Sequence, residues 1–182
     1  MKDLAFFTLA LILSLAGPAL ASDTLYGHRA YEVAEKGGLA PAGNYRDTGR
    51  VVKLTTEAAG AFKAMREAAQ RDGVGLVPIS GFRTFSYQKG LFERAVRKYG
   101  SEEKAARWVA PPGHSEHHTG TAIDMGDKKR RGCDVESCFE ETPAFRWLSE
   151  NASRFGFYLS FPKEGTAVSY EPWHWRLKGV QE

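Results

Sequence analysis

Residues 111–126 read PPGHSEHHTGTAIDMG, and the way this stretch breaks governs how the rest of the chain is read. Pro111-Pro112-Gly113 ends whatever helix precedes it, because proline lacks the backbone N–H that would continue the ladder. Gly120 permits a sharp turn, and Ala122-Ile123-Asp124-Met125 then has the short, apolar, β-branched character of a strand. Three of the chain's five histidines, His114, His117 and His118, crowd into the turn. Asp124 closes the pattern from the strand side.

Upstream, apolar residues recur at Ala58, Ala61, Phe62, Met65, Ala68 and Ala69, which is one face of a helix starting at Thr55 or Thr56 and ending at Gly73. Residues 74–80 (VGLVPIS) then form a short apolar run that feeds the turn Ser80-Gly81-Phe82-Arg83-Thr84. A second helix follows, with Leu91, Phe92, Ala95, Val96 and Tyr99 as its stripe and Gly100 as its stop. Ser101 caps a shorter helix reaching Trp108. Downstream of Asp124 a charged loop leads to a helix around residues 144–152 that buries Phe145, Trp147 and Leu148. Residues 157–161 (FYLSF) and 170–177 close the chain as two strands. Helices come early and strands cluster late, so the expectation is a single small α+β domain with an antiparallel sheet flanked by helices.

The chain has 182 residues, a formal net charge of +3, 42% hydrophobic and 26% charged residues, which describes an ordinary globular protein. Residues 1–21 (MKDLAFFTLALILSLAGPALA) carry a lysine, an apolar run too short for the roughly 20 residues of a membrane span, and small residues at 19 and 21. They read as a signal peptide cleaved after Ala21, giving a periplasmic or secreted protein without stable membrane insertion. Residues 22–50, rich in Gly, Ala and Pro, read as an arm packed over a domain formed by residues 51–182. Cys133 and Cys138 lie within RRGCDVESCFEET; in an oxidising compartment such a pair most often closes a small disulfide loop, and the competing reading, two thiolate metal ligands, lacks the tight two-residue spacing of common zinc knuckles. Basic residues are interspersed with acidic ones, which gives no footprint for nucleic acid. A monomer is expected.

His117 and Asp124 become more informative with His174, in EPWHWR. Two imidazoles and one carboxylate with an open fourth position is the donor set of a hydrolytic zinc centre, one Zn2+ per chain. Glu171 lies three residues before His174, an offset that in a regular strand would put the two on opposite faces. Pro172 resolves this, since proline belongs at a strand start, edge or bulge. Glu171 is then placed as general base, taking a proton from an activated water. The plainer alternative is that Glu171 pairs with Arg176. Arg83 could stabilise the negative charge that amide hydrolysis develops on oxygen, or grip a terminal carboxylate by its fork.

Taken together, SGFRTFSYQ, PPGHSEHHTGTAIDMG, NASRFGFYLSFP and YEPWHWR resemble the VanY-type D-alanyl-D-alanine carboxypeptidases of zinc peptidase family M15, subfamily B, over residues 53–177. The pattern S-x-H-x-x-G-x-A-x-D is met from Ser115 to Asp124 and E-x-W-H-x-R from Glu171 to Arg176. The resemblance implies a hedgehog/DD-peptidase-like fold, with His117, Asp124 and His174 as zinc ligands, Glu171 as base and Arg83 as a catalytic or substrate-gripping residue. It also places Gln88 and Ser115 along the substrate cleft and makes peptidoglycan stem peptides the substrate. His118 stands where relatives often carry Gln, and His114 also departs from the usual residue, so the choice of His117 rests on register.

Other readings stay open at this level. An L,D-carboxypeptidase or an endopeptidase acting on the same wall peptides would share every motif quoted. A zinc nucleobase deaminase would use His114-Ser115-Glu116 as H-x-E with the two cysteines, although Cys133 and Cys138 do not have P-C-x-x-C spacing. A non-catalytic wall-binding module would close its zinc with a fourth protein ligand, for which His118 or His114 is available.

Overall fold

The computed structural model describes residues 24–179; the segment read as a signal peptide lies outside them. Its centre is a four-stranded antiparallel sheet in the order β5-β6-β8-β7, built from β5 (Leu76–Ser80), β6 (Ala122–Asp127), β7 (Phe157–Leu159) and β8 (His174–Leu177). Strands far apart in sequence are neighbours because β6 and β8 are both buried throughout, and each needs a partner for its backbone groups. Helix α1 (Thr56–Arg71) packs Ala58, Ala59, Phe62, Met65 and Ala69 into the core. These meet Ile123, Met125, Phe139, Leu148, Phe157 and Trp175 in one cluster. Thr55 caps α1 by accepting from the Ala58 N–H, as a threonine at that position should.

Helices α2 (Phe85–Tyr99) and α3 (Glu102–Ala106) form a lobe with a small core of Phe92, Ala95, Ala105 and Ala106. Helix α2 starts earlier than the Leu91 stripe suggests, because Thr84 caps it by accepting from the Tyr87 N–H. Helix α4 (Pro143–Asn151) begins with proline, where the missing N–H has no consequence. Trp147 in it donates its indole N–H to Asp72 at 2.7 Å.

The segment before Arg50 differs from the loop-like arm read in the sequence. It holds a short hairpin, β1 (Thr24–Leu25) and β2 (His28–Arg29), and a six-residue strand β3 (Leu39–Asn44) paired antiparallel with β4 (Val51–Thr55). Pro41 and Gly43 obscure β3 in the sequence, and the pairing shifts register between them, which is how a strand accommodates such residues. The closing strand is also shorter than the expected 170–177 run. The Glu171 carbonyl accepts the His174 N–H at 3.0 Å in a turn, and β8 begins only at His174, so Pro172 breaks the chain where the sequence anticipates it.

Candidate functional site

Strands β6 and β8 bring Asp124 directly opposite His174, so their side chains share one face of the sheet. His117 reaches the same face from a short 3-10 turn, Glu116–Thr119, which Gly120 ends at φ +67°. A β-carbon on Gly120 would lie 3.1 Å from Leu39 and 3.3 Å from Thr55, so the turn needs glycine for both conformation and space. His117, Asp124 and His174 are all buried, and their ligand atoms lie within 4.8 Å of one another. The Nε2 of His117 is 3.3 Å from Oδ2 of Asp124, and Nδ1 of His174 is 3.1 Å from Oδ1. Metal–ligand bonds near 2.0 Å at tetrahedral angles separate donor atoms by about 3.3 Å, a spacing each histidine meets against one of the two Asp124 oxygens, so the two imidazoles and the carboxylate suit a zinc ion as a donor set.

The outer ring nitrogens are engaged in a way that fixes the inner ones. His117 donates from Nδ1 to the Gly81 carbonyl at 2.8 Å, which leaves Nε2 with its lone pair toward Asp124. His174 places Nε2 against Oε2 of Glu116 at 2.8 Å. Such partners orient ligating imidazoles and raise their basicity. Glu116 also accepts from the Tyr31 hydroxyl at 3.3 Å and from Arg176 at 3.4 Å. Arg176 therefore pairs with Glu116, which removes the alternative in which it simply neutralises Glu171.

Electrostatics follow the same division. Burial and the nearby Arg83 charge hold His117 down to about 4, so its imidazole is neutral at physiological pH. Burial disfavours a charge on His174 too, yet hydrogen bonds to Asp124 and Glu116 carry it up to about 10. Glu116 is buried as well, but His174 and Arg176 draw it down to about 2. Asp124, despite burial, is held well below the carboxylate range by His117 and Arg83. Glu171 is the exception: burial pushes its carboxyl up to about 7. Its Oε2 stands 3.8 Å from Nδ1 of His174, on the side that faces Asp124.

Arg83 donates to Asp124 Oδ2 at 2.5 Å and to the Ser80 hydroxyl at 2.9 Å, with Gln88 Oε1 at 3.5 Å. Gln88 is buried and donates to the Ala110 carbonyl. It lines, with Arg83, Ser115, Trp108 and Val135, a cleft of about 210 Å³ that contains the triad and Glu171. A larger cleft of about 680 Å³, bounded by Arg66, Gln70, Gly75 and Lys128, shares none of these residues.

The remaining histidines and the cysteines take other positions. His118 accepts the Gly113 N–H at Nε2 and donates from Nδ1 to the Arg83 carbonyl, so both ring nitrogens serve the backbone around Arg83. His114 contacts the Pro112 carbonyl and lines a neighbouring cleft. Cys133 and Cys138 are joined in a disulfide, which leaves no thiolate for deaminase chemistry. Sequence reasoning missed Glu116 as a partner of His174, the Gly81 carbonyl and Tyr31. Only the adjacency of Glu116 to His117 could have flagged the first of these.

Residues 51–180 match the family described as VanY, D-alanyl-D-alanine carboxypeptidase. The chain is 40% identical over 129 residues to YodJ of Bacillus subtilis, named as a carboxypeptidase, with 69% of this chain and 46% of the relative covered. It thus spans less than half the length of that relative. Among solved structures it resembles the LdcB LD-carboxypeptidase, with a TM-score of 0.71, 34% identity and coverage of 81% of this chain and 71% of the other. It also resembles the vancomycin-resistance D,D-pentapeptidase VanY of a VanB-type cassette, solved as a glutamate-to-alanine mutant with Zn(II). There the TM-score is 0.63 and the identity 28%, with 86% of this chain and 90% of the other covered.

Proposed function

Because the chain belongs to the VanY family of D-alanyl-D-alanine carboxypeptidases, we propose that it is a zinc-dependent carboxypeptidase that removes the terminal D-alanine from peptidoglycan stem peptides. The observation that carries this is the convergence of two histidines and an aspartate on one buried point, with a fourth side left to Glu171 and the cleft. His117, Asp124 and His174 hold the ion, one per chain. When bound, zinc supplies Lewis-acid polarisation of the scissile carbonyl and acidifies water at the site.

The chain's own groups account for the proton traffic. Glu171, its carboxyl raised to about 7 by burial, takes a proton from the attacking water and returns it to the leaving amine, and groups poised near the working pH do this most effectively. Arg83, held by Ser80 and Gln88, presents a fixed cation to the negative charge that develops at the cleaved bond. Gln88 and Ser115 line the peptide's path. Acting on wall peptides would take the enzyme outside the cytoplasm, which the leader-like residues 1–21 and the disulfide at Cys133–Cys138 support. No helix of the described residues is long and apolar enough to cross a membrane.

The likeness to the LdcB LD-carboxypeptidase favours a second reading, in which the substrate is the tetrapeptide. Mass spectrometry of defined pentapeptide and tetrapeptide muropeptides, with chelator and with zinc restored, decides between them. Chelator-sensitive loss of one alanine from the pentapeptide is the expected result; loss from the tetrapeptide alone would transfer the assignment to the L,D-enzyme. Cleavage of neither by zinc-loaded protein would overturn both.

A further inference from the structure

The loop closed by the Cys133–Cys138 disulfide carries a feature that the proposed reaction leaves unused. Val135 adopts φ +58°, a region that a β-branched residue occupies only at an energetic cost. It is 42% exposed, and it lines the same cleft as His117, Asp124, Glu171 and His174. A loop tip with no task would hold glycine or asparagine there, or relax.

Independent constraints prevent relaxation. The disulfide joins the residues on either side. Next to Val135, Asp134 accepts from Nε of Arg46 at 2.6 Å, from its Nη2 at 2.5 Å, and from the Tyr45 hydroxyl at 3.2 Å. Arg46 is itself at φ +46°, and it donates to the Asp127 carbonyl at 3.0 Å. Both side chains of the pair are almost fully buried. Gly126 makes room for it, since a β-carbon there would lie 2.6 Å from Asp134 Oδ1. The segment before Arg50 thus fastens the loop across the sheet edge.

We propose that this clamp exists to hold Val135 as a specificity-determining wall of the cleft, in contact with the aliphatic part of the side chain that precedes the penultimate alanine, on the acyl side of the cleaved bond. The assignment rests on the carboxypeptidase reading. In that reading the terminal residue occupies the inner end near the partly buried Arg83 and the buried Asp124, and the chain leading toward the polymer leaves through the mouth. Val135 and Trp108, 42% and 47% exposed, stand at that mouth. Asp134 and Arg46 are positioning residues that act through Val135.

Steady-state kinetics of the zinc-loaded full chain tests this on two substrates, the stem pentapeptide and N-acetyl-D-alanyl-D-alanine, which keeps both alanines but lacks the residue before them. Val135→Gly should raise KM for the pentapeptide about fivefold more than KM for the dipeptide, the loss expected for one partly buried aliphatic contact. It should also raise the melting temperature, since glycine accepts the left-handed backbone freely. Val135→Ala should move KM in the same direction by less. Asp134→Asn should shift KM for the pentapeptide while Val135 is still present, with kcat changed less. Equal changes on both substrates, or none, in variants with full zinc content would overturn the proposal and leave the carboxypeptidase reading intact. Failure of the unmodified protein to cleave either substrate would overturn both.

Discussion

Replacing Glu116 by glutamine isolates the role of the carboxylate behind His174. Gln has the same shape and can still accept a hydrogen bond, but it removes the charge that faces His174 Nε2 at 2.8 Å and Arg176 at 3.4 Å. Partners of this kind hold a ligating imidazole in its tautomer, and their loss lowers metal affinity by about 10- to 100-fold. Glu116 sits at the upper part of that range, because His174, Tyr31 and Arg176 all converge on it and it is almost fully buried. A fall of about 80-fold corresponds to about 2.6 kcal/mol. Competition with a chromogenic chelator measures it directly, and thermal melts of the zinc-free protein report the accompanying structural cost. Tyr31→Phe, which removes one of the three contacts, should lower affinity in the same direction by only a few-fold. A Glu116→Gln protein that binds zinc within twofold of the unmodified chain would refute the reasoning that this carboxylate steers His174.

Gly81→Ala should lower both stability and zinc affinity, because a β-carbon there would lie 2.3 Å from the Lys53 carbonyl, and the Gly81 carbonyl receives His117 Nδ1. Overpacking of this kind costs about 1–3 kcal/mol, visible in denaturant melts. Replacing both cysteines by serine should destabilise the chain by about 2 kcal/mol, the loop-entropy value for so short a loop, with zinc content unchanged by metal analysis. Zinc uptake should release a proton at neutral pH. His174, raised from 6.5 to about 10 in the metal-free site by Asp124 and Glu116, carries a proton that the ion must displace. That proton stabilises the metal-free fold fully below about 6.5, and its contribution is lost as pH rises toward 10. Zinc affinity accordingly falls as pH falls. Calorimetry in two buffers of different ionisation enthalpy measures the proton count, and a count of zero would contradict this.

Much of the architecture was legible because local signals agreed with each other. The α1 stripe, the Thr55 cap and the stop near Gly73 read directly as a helix, and Gly120 followed by Ala122–Asp124 read as a turn into a strand. Strand β3 was not legible, because Pro41 and Gly43 suppress the local signal and its stability comes from pairing with β4. The position of Glu171 relative to His174 was readable only through Pro172, whose missing N–H predicts the break before β8. Glu116 was hidden for a different reason. Nothing in Ser115-Glu116-His117 says whether the carboxylate faces the ion or another ring. The answer depends on His174, 58 residues later, returning beside it. His118 offers a competing ligand by sequence alone, but both of its nitrogens are engaged by the backbone. Val135 is not legible because its significance lies in a backbone angle and in its neighbour Asp134, whose partner Arg46 lies far away in the chain.

The proposed division of labour, ligands on one side and Glu171 on the other, is tested most directly by alanine release from the pentapeptide by zinc-loaded Glu171→Gln protein. One zinc per chain is expected in both the variant and the unmodified protein, with turnover of the variant reduced by about 10²–10⁴-fold, the share assigned to a positioned acid–base group. Turnover within a few-fold of the unmodified enzyme, at full zinc occupancy, would contradict it.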